Sequence, residues 1–77
     1  MNEQLMDILI DLRPDVDFDT EDQLVTNGIL ESFDIVSLVA ALTEEFDIEI
    51  QAKDLLPENF NSAAAMLRMI VRLQDGD

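Results

Sequence analysis

Apolar residues recur along the chain at helical spacing. Leu5, Ile8, Leu9 and Leu12 fall at i, i+3, i+4 and i+7, one face of a first helix. Pro14 disfavours helical backbone at Arg13, so this helix is expected to stop near Leu12. A long connection follows, from about Asp15 to Glu31, with Phe18, Leu24, Val25, Ile29 and Leu30 spaced through it. Connections of that length are uncommon in compact domains unless they are functional or held down by apolar residues of their own. Here the apolar residues are expected to pin it, and it delivers the chain to Ser32.

A second helix is predicted from about Phe33 to Phe46, with Ile35, Leu38, Val39, Leu42 and Phe46 as its core stripe. Ser32 is well suited to cap it, and Asp34 in the first turn complements the helix dipole. Phe33, Val36 and Ala40 form a second stripe, rotated well away from the first. That stripe either packs under the long loop or is a contact surface. Phe46–Ile50 alternates apolar and acidic, as an extended crossing does. Lys53–Leu56 reads as one helical turn ended by Pro57. The last helix is expected to start after Asn61 as its N-cap, with Ala63, Met66, Leu67, Ile70 and Leu73 on its core face. Arg68 and Arg72 lie four apart on its outer side near the C-terminal end, and Gly76 is placed to end it. The sum is an all-α four-helix bundle, with three longer helices, one short third helix and a long first loop.

Composition bounds this picture. The 77 residues make one domain, 1–77, and a chain so short buries only about 60% of its unfolded surface. Without cysteine it has no disulfide and no thiolate metal site to stiffen it. At 48% hydrophobic it is too apolar to be a disordered acidic tail. The longest apolar runs are five residues (38–42 and 63–67), far short of a membrane span. Met1 is followed by neither a basic nor an apolar leader segment, so a cytoplasmic protein is expected, and a monomer.

Charge narrows the partners. The net charge is −14, and the cations are Arg13, Lys53, Arg68 and Arg72 alone. Between Pro14 and Ala52 lie eleven acids and no cation. Nucleic acid and anionic membrane surfaces are therefore excluded as partners, and a basic protein patch is the natural complement. Such a concentration of like charge repels itself in the compact state. Added salt should therefore raise the thermal midpoint; melts that do not move between low and moderate ionic strength would contradict this.

Candidate chemistries can be tested residue by residue. A nucleophilic serine needs a neighbouring base, and the chain has no histidine and no lysine near Ser32. Asp15–Thr26 places acids at the first, third and fifth positions of a calcium loop. It then fails, with Thr20 where the turn needs glycine and Thr26 where a bidentate Glu is required. No metal site and no catalytic residue are assigned.

The stretch GILESFDIVSLVAALTEEFDIEI (28–50) resembles the phosphopantetheine attachment region of acyl carrier proteins. In that family an Asp-Ser-Leu motif opens the second helix, followed by an acid, an apolar stripe and an EEF ending. The likeness extends to a first helix ending LRPDVDF, a short third helix, and NFNSAAAMLRMI as the fourth. It implies that Ser32 receives a 4′-phosphopantetheine arm from coenzyme A, transferred by a separate Mg²⁺-dependent phosphopantetheinyl transferase. The absent cysteine is then supplied by the arm's thiol, which carries acyl or aminoacyl groups as thioesters. Glu31, Phe33, Asp34, Val36, Ala40 and Glu44 would form the face read by basic patches on loading and processing enzymes.

This chain departs from the family pattern at several places. Glu31 replaces the usual Asp and Phe33 the usual Leu. Ser37 and Thr43 stand where fatty-acid carriers often have acids. The glycine pair and histidine of peptidyl carriers are missing. A D-alanyl-type carrier fits the length, but its motif continues Met-Gly where this chain has Phe33-Asp34. The expected protein is a free-standing acyl carrier, not an enzyme, serving fatty-acid, polyketide or related biosynthesis. The alternatives are an aminoacyl or D-alanyl-type carrier and an unmodified acidic helical module that docks a basic partner.

Overall fold

A computed structural model describes residues 2–76. Four α-helices are present among them: α1 Glu3–Leu12, α2 Ser32–Phe46, α3 Pro57–Phe60 and α4 Ala63–Gln74. A single 3₁₀ turn, Ala52–Asp54, precedes α3. The expected three longer helices and long first loop are found, while the short α-helix lies at Pro57–Phe60 rather than at Lys53–Leu56, where the 3₁₀ turn stands instead.

Asn2 caps α1, its Oδ1 accepting the Leu5 N–H at 3.1 Å. The helix ends before Pro14 as the sequence requires, and α1 packs against α2. Leu5 and Leu9 from α1 meet Leu38, Leu42 and Phe46 from α2 in one core. Ala63, Met66, Met69 and Ile70 of α4 complete it, with Phe60 from α3. Met69 and Ala65 are buried although they lie outside the expected α4 stripe. After α2 the chain reverses at Asp47, which adopts left-handed backbone (φ 52). Ile48 is then buried and Asp47 and Glu49 exposed, so the alternation of the extended crossing holds.

The first loop is pinned in two ways. Phe18, Leu24 and Leu30 enter the core, as their spacing suggested. The second anchor is polar and was not expected. Asn61 Oδ1 accepts the N–H groups of Val25 and Thr26, each at 3.0 Å, and its Nδ2 donates to Thr26 Oγ1 at 3.0 Å. The Asn61 carbonyl also accepts the Leu24 N–H at 2.9 Å. Asn61 is thus spent on the loop, and Ser62 caps α4 instead, accepting the Ala65 N–H at 3.0 Å. Asn61→Ala should cost about 1 kcal/mol by removing the acceptor of the part-buried Val25 N–H, while the exposed Thr26 N–H turns to water. Urea unfolding measures the loss, and faster amide exchange at Val25 and Thr26 should accompany it.

Pro57 also plays the opposite part from the one expected. It opens α3 at its first position rather than ending a turn, because a first-turn residue needs no N–H partner. Leu56 before it is extended (φ −105, ψ 142), as the proline ring demands. Arg72, expected on the outer side of α4, reaches back to the buried Asp54, whose Oδ1 lies 3.5 Å from Nη2. Asp54 Oδ2 accepts the Gln51 N–H at 3.1 Å, so this carboxylate ties the 3₁₀ turn to α4.

Candidate attachment site

The chain has three serines, and their surroundings separate them. Ser62 is committed to capping α4. Ser37 is half-buried in a cleft between α1 and α2, beside Ile8, Asp11, Leu12, Leu38 and Ala41. Ser32 is exposed at the first residue of α2.

Ser32 is not the cap of its helix. Glu31 takes that position, in extended backbone (φ −99, ψ 173), and forms a capping box with Asp34. The Asp34 carboxylate reaches back to the Glu31 N–H at 3.1 Å. An acid three residues past the cap can make this reciprocal contact, and the pairing moves the helix start one residue earlier than expected. The Ser32 hydroxyl is left without a hydrogen bond to any described side chain or backbone group. It stands at the positive end of a 15-residue helix, where the Ser32 and Phe33 N–H groups lack intrahelical partners.

A third residue holds this helix start. Arg13 Nη1 donates to Asp34 Oδ2 at 3.1 Å and to the Ile29 carbonyl at 3.0 Å. Its Nε lies 3.5 Å from Asp15 Oδ1. Neither the proline that follows Arg13 nor its place among the four cations assigns it to the helix start. Its signal was charge: it is the sole cation of the first 52 residues.

The six residues expected on a docking face divide in two. Phe33 is 79% exposed and Val36 68%, and Ala40 and Glu44 are exposed on the same side of α2. Glu31 is exposed beside them. Asp34 is turned the other way, against Arg13, with only 15% of its side chain exposed. The second stripe does not pack under the long loop, which sends its apolar residues into the core and leaves Phe33, Val36 and Ala40 uncovered. Thr43 lies on the exposed surface of α2, while Ser37 faces the α1 cleft.

An exposed hydroxyl at a helix N-terminus suits a phosphodiester. The helix dipole favours the negative charge, and the serine has no competing structural duty. Among the described residues no group of three acids is arranged to hold a metal ion. No helix among them is long and apolar enough to cross a membrane.

D-alanyl carrier proteins from two strains of Lactobacillus delbrueckii subsp. bulgaricus are similar to this chain along nearly its whole length. Each is 28% identical over 76 residues, which cover 97% of this chain and 95% of the relative. The chain is thus similar to carrier proteins over nearly its whole length. No protein-family model matches it, and no solved structure does. Its layout of four helices, with no strand among the described residues, is consistent with a small helical carrier fold.

Proposed function

We propose that this chain carries an aminoacyl group, of the D-alanyl class, as a thioester on a 4′-phosphopantetheine arm attached to Ser32. The observation that supports the site is the state of the Ser32 hydroxyl: exposed, at the start of α2, and relieved of capping by Glu31 and Asp34. The cargo class rests on the D-alanyl carriers that the chain resembles. Their likeness moves the aminoacyl reading ahead of a fatty-acid or polyketide cargo, although Phe33-Asp34 follows the serine here.

The chain's own part is presentation. Ser32 offers an oxygen nucleophile, and the missing base and Mg²⁺ come from the phosphopantetheinyl transferase. When attached, the arm supplies the thiol that forms the thioester. Phe33, Val36 and Ala40 provide an apolar strip for partner enzymes, flanked by Glu31 and Glu44. Long-range attraction from the acidic stretch steers partners with basic patches toward it.

Intact-protein mass spectrometry tests both parts. Incubation with coenzyme A, Mg²⁺ and a broad-specificity transferase should add one phosphopantetheine, mapped to the peptide that contains Ser32. The loaded protein, given ATP and a D-alanine-activating ligase, should then gain one alanyl mass. Transfer only from fatty-acyl donors would overturn the cargo, and no increment with any transferase would overturn the carrier site. In the latter case the same exposed strip would belong to an unmodified docking module.

A further inference from the structure

The start of α2 is held by one cation. Arg13 Nη1 bridges the Ile29 carbonyl at 3.0 Å and Asp34 Oδ2 at 3.1 Å, and the same Asp34 oxygen accepts the Glu31 N–H at 3.1 Å. These contacts fall three residues before Ser32, one before it and two after it. Ser32 itself takes no part. The last turn of α1, which ends at Leu12, is thus fastened to both sides of the serine.

We propose that Arg13 is a positioning residue for the modification of Ser32: it fixes the backbone around the hydroxyl through Asp34 and Ile29. Three observations carry this. The Arg13 side chain is 32% exposed and that of Asp34 15%, so the pair is partly shielded and the guanidinium is held on two sides. In a stretch of acids the chain places its only early cation here, where it also neutralises the Asp34 carboxylate beside the attachment site. One terminal nitrogen, Nη1, engages the Asp34 carboxylate and the Ile29 carbonyl while Nε faces Asp15 at 3.5 Å, so the planar group is held from both ends, a hold that the single nitrogen of an ammonium reproduces only in part. Without it, Asp34 would keep the Glu31 contact, but the Ile29–Glu31 segment would lose its tie to α1. The serine would then sample positions that a transferase cannot use, and misplacements near 1 Å are costly to a transfer reaction.

The inference rests on Ser32 being the attachment site, and the wild-type chain separates the two failures. Steady-state transferase kinetics on wild type, Arg13→Lys and Arg13→Ala, with coenzyme A saturating, are the measurement. Unmodified wild type would sink the carrier reading itself. If wild type is loaded, Arg13→Ala should lose about tenfold or more in kcat with KM for the carrier little changed, since Arg13 is not part of the Phe33, Val36 and Ala40 strip proposed to meet the partner. Arg13→Lys should recover part of that loss. Amide exchange read in parallel should quicken at Leu30 and Ile35, whose N–H groups donate to the Leu24 and Glu31 carbonyls, while Leu42 and Met66 stay protected, which a general loss of stability would not produce. Kinetics of both variants equal to wild type would overturn the proposal, as would loss of protection throughout the molecule in step with kcat.

Discussion

Ser32→Ala is expected to abolish loading while leaving the fold and its stability almost unchanged. Both halves of that result follow from the helix start. The hydroxyl is the group proposed to receive the arm, so its removal leaves no acceptor and the mass increment should vanish completely. Ser37 is half-buried and the Ser62 oxygen caps α4, so neither is placed to substitute. The stability half is the sharper test of the geometry. A serine that capped α2 would cost about 1 kcal/mol when replaced by alanine. Glu31 and Asp34 do that work here, and alanine is a good helix former at an exposed first position. The change should therefore stay within about 0.5 kcal/mol. Denaturation curves of the two proteins should overlay. A loss near the full capping value would show that the serine holds the helix, and a persisting increment would place the arm elsewhere.

The long elements were legible because each depends on its own residues. Leu5, Ile8, Leu9 and Leu12 define a stripe within α1, and Pro14 stops it by local sterics, with no help from the rest of the molecule. The core stripe of α2 and the apolar pins of the first loop were readable on the same terms. What failed were choices between two partners of equal local merit. Asn61 and Ser62 are both good caps, and the decision was made by the loop, whose Val25 and Thr26 N–H groups claim Asn61. At the start of α2 Ser32 is by type the better cap than Glu31, and Asp34 reaching back to the Glu31 N–H overrides that preference. Pro57 is compatible with ending one turn or beginning another, and nothing within four residues distinguishes them.

The candidate site was legible in the same uneven way. Ser32 and its acidic surroundings could be singled out from the chain alone, and the apolar strip of Phe33, Val36 and Ala40 could be drawn. Whether the strip was covered depended on where the loop's apolar residues went, which is a property of the packed molecule. Arg13 and Asp34 are 21 residues apart, and only the packing of α1 against α2 joins them. Their pairing is also why Asp34 belongs to the support of the site rather than to its outer face.

Phe60→Ala should destabilise the chain more than any surface change and bring it close to unfolding. Phe60 is 1% exposed and the bulkiest of the fully buried side chains. Truncating a buried phenylalanine removes its transfer free energy and leaves a cavity, together about 3–5 kcal/mol. Small domains are stable by roughly 0.05–0.15 kcal/mol per residue, which gives about 4–12 kcal/mol for a chain of this length. The loss is thus a large share of the total. It should also spread, because α3 has only four residues, Pro57–Phe60, and cannot persist without its anchor. Asn61 follows directly and holds the first loop, so the segment that leads to Ser32 loosens with it. Urea unfolding followed by far-UV circular dichroism should show a much lower midpoint with an unchanged slope if the transition stays cooperative. Phe33→Ala is the control, the same chemical change at a residue that is 79% exposed, and should move the midpoint little. Equal losses in the two variants would mean that Phe60 does not anchor the core. A large loss at Phe60 alone, with Ser32 loading slowed by more than the unfolded fraction accounts for, would show that the short third helix helps hold the loop that presents the serine.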